Sequence, residues 1–200
     1  MRPRGRRLLP VAGLLALPGA AQAHLVSSGL GPFYDGMLHL LLSPADLLGL
    51  VAVSLLAGLR GRRAARLTVM ALPTAWLLAG LVGMGFPVTP ELAWLSVVFF
   101  MVPGLLVAAD VRLPPSLVAA LGGVYGALHG VFNGSALVAL GAGVTSLCGL
   151  VLAVLLLALL TSAAVAPLQA FWARTTVRVL GSWVVAVGLL MLGWMFQGMA

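Results

Sequence analysis

Apolar residues in this chain come in long unbroken runs, not in the alternation of a half-buried strand or the three-four spacing of a water-facing helix. Six such runs lie near residues 34–59, 66–86, 91–110, 115–136, 140–163 and 176–197. Each is close to or above the ~20 residues that cross a bilayer core, and short loops separate them. The pattern predicts an all-α, polytopic membrane protein with six transmembrane helices in a single domain over residues 24–200. Ahead of it, residues 1–23 have a basic start (Arg2, Arg4, Arg6, Arg7), an apolar stretch from Leu8 to Ala20, and Ala21-Gln22-Ala23 as a small-x-small cleavage site. Pro10, Gly13 and Pro18 break that stretch, so it reads as a cleavable signal peptide, with an uncleaved anchor as the alternative. Cleavage after Ala23 makes His24 the mature N-terminus.

Composition supports the membrane reading and charge placement orients it. Hydrophobic residues make up 62% of the 200 and charged residues 8%, against about 25% charged in an ordinary soluble domain. A net charge of +7 would suit nucleic acid only if the basic residues formed a stripe on one soluble surface. They do not, and nucleic acid is excluded as a partner. All eleven are arginines: four precede the signal stretch, Arg60, Arg62, Arg63 and Arg66 fall in the first loop, Arg112 in the third, and Arg174 and Arg178 at the fifth. With the mature N-terminus outside, all three loops are cytoplasmic, giving an N-out/C-out topology in a bacterial-type inner membrane. The single Cys148 lies in an apolar run and supports no thiolate chemistry.

The first run carries an imidazole and a carboxylate, His39 and Asp46, inside sequence otherwise fit for lipid, where ionisable groups are costly. As one straight helix its 26 residues would measure about 39 Å, more than the ~30 Å core. Ser43-Pro44-Ala45-Asp46 has the form of a helix start, with Ser43 as N-cap and Pro44 at the first helical position. A half-helix over 33–42 followed by a regular helix from Pro44 is expected. Half-helix ends inside membranes are places where transporters hold ions. The competing reading makes Asp46 a capping acid at the interface.

In the fourth run Gly122, Gly126, Gly130 and Gly134 recur every four residues, a ridge that lets another helix backbone come close, in the same subunit or a neighbouring one. Tyr125, His129 and Asn133 share that spacing one position behind, so they form a polar stripe beside the seam. His129 then either joins a site or bonds a facing carbonyl and locks two helices. His39 and His129 lie at similar distances from the outer ends of their runs, which places both in the outer third of the bundle. Other features read as structural: Thr89-Pro90-Glu91 as a helix start, Pro73 and Pro103-Gly104 as kinks that open the bundle locally, Trp172, Trp183 and Trp194 as interface anchors or packing, and the scattered methionines as core filler.

These residues resemble the HupE/UreJ family, small membrane proteins associated with hydrogenase and urease clusters and regarded as nickel or cobalt permeases. The family's first motif, His-Pro-x-x-Gly-x-Asp-His, is matched by His39, with Leu40 for the proline, Ser43 for the glycine, Ala45 at the aspartate position and Asp46 at that of the closing histidine. The carboxylate is thus moved by one position, about 100° around a helix. The second motif, His-Gly-x-x-His-Gly-x-Glu, is met by His129-Gly130, then by Asn133-Gly134 and by Ala136 in place of the glutamate. The resemblance implies a divergent member whose metal-binding set is His39, Asp46, His129 and Asn133. The amine and imidazole of a mature His24 are a further chelating pair.

The expected function is a secondary permease for a divalent transition metal, with nickel or cobalt as cargo and no resident cofactor implied. Imidazole and carboxylate suit such ions, and with no nucleotide-binding motif any energy comes from ion gradients or membrane potential. The alternative is a non-transporting accessory, acting with a metalloenzyme-maturation partner or as a homo-oligomer, whose polar groups only lock helices. An enzyme is not expected. Ser135 stands six positions from His129, and no nucleophile, base and orienting acid can be assembled.

Overall fold

The computed structural model describes residues 28–86, 88 and 93–197. Regular structure among them is entirely helical: α1 (Pro32–Leu42), α2 (Pro44–Leu59), α3 (Arg62–Gly85), α4 (Ala93–Ala108), α5 (Pro115–Ala139), α6 (Val144–Val165) and α7 (Phe171–Gln197). The signal segment, His24 and the Thr89-Pro90-Glu91 helix start lie outside the described residues. Among the described residues four helices, α3, α5, α6 and α7, are long and apolar enough to cross a membrane, and the bent pair α1–α2 has the length and composition of a fifth, broken span or of a re-entrant loop. The described part of α4 has 16 residues, about 24 Å, and lies within the predicted third run.

The break in the first run falls where the sequence places it. α1 and α2 meet at Ser43 with a bend of 77°, and Pro44 opens α2, because proline lacks the N–H that the preceding turn would need. The capping detail differs from expectation. Ser43 occupies the N-cap position but makes no side-chain cap. Its hydroxyl instead donates back to the His39 carbonyl at 2.7 Å, which ties the last turn of α1 across the bend.

α2 is the axis of the bundle. Its residues from Ala52 to Leu59 are all buried, and it touches α3, α4, α5, α6 and α7. The largest seam joins α3 to α5. A side chain at Gly122, Gly126, Gly130 or Gly134 would meet Thr68, Leu72, Trp76 or Gly80 respectively. Both series advance by four, so the two helices run parallel and in register, and the glycine ridge lies inside one chain. α7 packs on α4, and α1 on α6.

Pro73 and Pro103 sit within unbroken helices. The bundle is not opened at either: Pro73 is buried, and a Cβ on Gly104 would press on Val184 of α7. Trp172, Trp183 and Trp194 are all exposed and belong to the outer face of α7, not to its packing.

The arginine-bearing loops gather at one end. Arg60, after α2, and Arg174, in the first turn of α7, both bond the Asp110 carboxylate between α4 and α5, Arg174 at 3.4 Å. Arg178 donates to the Ala108 carbonyl at 3.0 Å. Asp110 itself has φ +49°, and its N–H and that of Val111 close the α4 C-terminus on the carbonyls of Val107 and Leu106. That is the left-handed cap usually made by glycine.

Candidate functional site

At the opposite end of α2, the first turn delivers Asp46 into the centre of the bundle. The same parallel seam that buries the glycines turns the neighbouring stripe of α5 toward it. The His129 ring is completely buried and its Nδ1 lies 2.5 Å from Asp46 Oδ1. Asn133 donates from Nδ2 to Asp46 Oδ2 at 3.0 Å and to the His129 carbonyl at 2.8 Å. The Tyr125 hydroxyl donates to the carbonyls of Asp46 at 3.0 Å and Ala45 at 3.2 Å, so all three residues of the stripe grip the start of α2. Gly49 makes the approach possible, since a Cβ there would overlap the Tyr125 ring and Phe100.

Aromatic rings fix the imidazole on its other side. Tyr125 stacks on His129 with centroids 4.1 Å apart and planes 27° apart, and Trp76 of α3 stands 5.7 Å away. Trp76 was not among the candidates read from sequence. The available signal was its register, since Thr68, Leu72, Trp76 and Gly80 repeat with the same step as the glycine ridge.

The chemistry of the cluster lies in what it leaves unmade. An ionised carboxylate only accepts hydrogen bonds, so Nδ1 carries the hydrogen and the lone pair of a neutral His129 sits on Nε2. That Nε2 is buried without a hydrogen-bond partner among the described residues, and so is Asn133 Oδ1. A buried polar atom left unpaired costs about 1–3 kcal/mol, and such exceptions mark sites with another role. A histidine whose second nitrogen is held by a carboxylate is also the usual arrangement of an imidazole metal ligand.

A cavity of about 320 Å³ reaches this cluster, lined by His39, Asp46 and Asn133 together with Ser96, Phe132 and Ser135. Val88, between α3 and α4, and Ala139, at the end of α5, also line it, so it belongs to the end of the bundle away from the arginines. Ser135 accepts a bond from the Val88 N–H at 2.8 Å, which ties the segment after α3 to α5 at the cavity wall. His39 is half-buried on the cavity wall, and no side-chain bond joins it to Asp46 or His129.

Of the five residues singled out by sequence, Asp46, His129 and Asn133 are joined directly, and His39 lines the same cavity as Asp46 and Asn133. His24 lies outside the described residues. Among the described residues there is no group of three or more His, Cys, Asp or Glu side chains disposed to hold a metal ion. The capping reading of Asp46 fails, because its carboxylate serves α5 and not the N–H groups of its own helix.

Broken first crossing, parallel glycine seam and buried His–Asp cluster together define a multi-pass membrane protein with a polar centre. The chain belongs to the HupE/UreJ family: the family model described as HupE / UreJ protein matches residues 12–191. That family is associated with nickel or cobalt uptake or with accessory roles. No curated protein and no solved structure matched the chain.

Proposed function

We propose that the chain is a secondary permease of the bacterial inner membrane that carries nickel or cobalt, with the arginine end cytoplasmic and the cavity opening outward. The observation that carries this reading is the unpaired Nε2 of His129, a buried donor on an imidazole oriented by Asp46. The donor set suits the cargo. Imidazole nitrogen and carboxylate oxygen bind divalent first-row ions, and Asn133 Oδ1 supplies a weaker oxygen.

In this mechanism an ion enters the cavity past His39, exchanges water for His129 Nε2 and the Asn133 amide oxygen, and is balanced by the charge of Asp46. Two protein donors of unequal strength favour binding loose enough to release, as transport requires. A stronger cage would store the ion. Nickel or cobalt uptake by cells expressing the protein should fall to background for His129→Ala and severalfold for His39→Ala. Unchanged uptake in both variants rejects the site.

A second reading, a non-transporting accessory of metalloenzyme maturation, draws support from the lack of a three-ligand cluster among the described residues. It predicts that nickel and cobalt leave the melting temperature of the purified protein unaltered. A metal-dependent rise, abolished by His129→Ala, excludes it.

A further inference from the structure

A second cavity, of about 660 Å³, lies between α3 and α6 near the arginine end and takes no part in the His–Asp cluster. Its volume is within the ~300–1,000 Å³ of ordinary ligand sites. The cationic side is made by Arg62 and Arg66, one turn apart on α3 and so on the same face. The apolar side is made by Val69 and Met70 further along α3 and by Leu159 of α6. Small residues open the space: Ala65 on α3, and Ser162, Ala163 and Ala166 on α6.

The arginines of this end divide into two kinds. Arg60 and Arg174 share the Asp110 carboxylate, and Arg178 is bound to a main-chain carbonyl. Arg62 and Arg66 are exposed, and among the described residues no carboxylate pairs with either. Their charge is therefore available to an outside anion. The groove continuing from them is apolar and runs down the wall of a helix that crosses the bilayer. Met70 at its far end is 71% exposed, where the surrounding medium is lipid.

A soluble anion would use the arginines and leave the apolar groove empty. A zwitterionic lipid would fill the groove but bring no net charge to the two arginines, whereas an anionic one brings a negative charge together with the apolar chain. We propose that this groove is a binding site for one anionic phospholipid, its phosphate held between Arg62 and Arg66 and an acyl chain laid along Val69, Met70 and Leu159. A lipid seated there fastens α3 to α6 on the side where they have few large side chains to interlock. The site is independent of metal transport and stands whichever function the His–Asp cluster serves.

The test uses the full-length protein reconstituted in phosphatidylcholine vesicles with a minor fraction of phosphatidylglycerol, extracted in mild detergent and weighed by native mass spectrometry. The wild type should retain one phosphatidylglycerol in preference to phosphatidylcholine. That preference should fall about fivefold for each of Arg62→Gln and Arg66→Gln, the value of one basic residue at an anionic membrane surface. Arg63→Gln, exposed on the same turn but outside the groove, should leave it intact. Ala163→Phe, which fills the groove without touching charge, should also expel the lipid. Equal losses from Arg63→Gln and Arg66→Gln would reduce the effect to diffuse surface charge and overturn the proposal. So would retention by Ala163→Phe, or displacement of the bound species by glycerophosphate in place of intact lipid.

Discussion

Each end of this bundle is built around one aspartate, and the two are finished in opposite ways. Asp110 gathers two arginines from distant loops, and Arg60, almost fully buried, donates directly to it. One carboxylate shared by two guanidinium groups clamps α2, α4 and α7 together. Asp46 lies deeper, has only a histidine and an amide as side-chain partners, and stands with Asn133 on the wall of a cavity, behind which His129 Nε2 and the Asn133 amide oxygen are buried without partners. The buried atom left over at the Asp110 end, Arg60 Nε, is an N–H of a cation and can only donate, whereas a neutral imidazole nitrogen and an amide oxygen can receive a cation. The difference lies in what remains unbonded, since the carboxylates themselves are alike.

The strongest way to break this contrast is Asp46→Ala. It leaves the buried His129 N–H and one hydrogen bond of the Asn133 amide unmade, so stability should fall by about 1–3 kcal/mol for each group left without its partner. Metal uptake should drop to background, read in the same cells by uptake and by melting of the extracted protein. Asp110→Asn should cost less, about 1.5–3 kcal/mol for a hydrogen bond between charged groups. Asparagine tolerates the left-handed conformation at that cap, so the loss reports charge alone, and metal binding at the other end should survive. If Asp110→Asn abolished binding while Asp46→Ala spared it, the assignment of the two ends would be reversed.

A finer comparison comes from Tyr125→Phe, which keeps the ring on His129 and removes the bond to the start of α2. It should lower stability by about 1 kcal/mol and weaken metal binding modestly, measured side by side in detergent. The smallest expected effect is that of pH on the Asp110 clamp. Burial pushes that carboxyl up, but the hydrogen bond and charge of Arg60, and then those of Arg174, outweigh it and hold it below the ordinary value of 3.8. Its folded value is depressed, so its contribution is complete above the unfolded value of about 4 and is lost as pH falls through the folded one. Melting temperature should therefore be flat for this group at neutral pH and decline below about pH 4, and Asp110→Asn should remove that part of the decline.

Much of this was legible in the sequence because the bilayer imposes strict rules. The all-helical apolar runs, the proline restart at Pro44 and the four-residue ridge of α5 follow from length, backbone bonding or close approach; four or five of the six predicted crossings, the 77° bend and the α3 seam answer to them among the described residues. Gathering of Arg60 and Arg174 at one end follows the same logic. Pairwise geometry was less legible. Asp46 could be read as a cap or as a site residue, since only the rotation of α2 against α5 decides which N–H or imidazole it meets. Trp76 was missed because a lone tryptophan in an apolar run carries no mark of the ring it faces. Asp110 was missed because its acid acts through arginines fifty and sixty-four positions away.

The central claim is that His129, held by Asp46, is a metal-receiving nitrogen and not a helix lock. Equilibrium binding of nickel and cobalt to the purified full-length protein and its His129→Gln variant tests it most directly, because glutamine keeps a polar group in the core while removing Nε2. The wild type should bind one ion, and the variant should bind at least about tenfold more weakly, the effect of ~1.4 kcal/mol. No binding by a folded wild type, or equal binding by both proteins, would contradict the account.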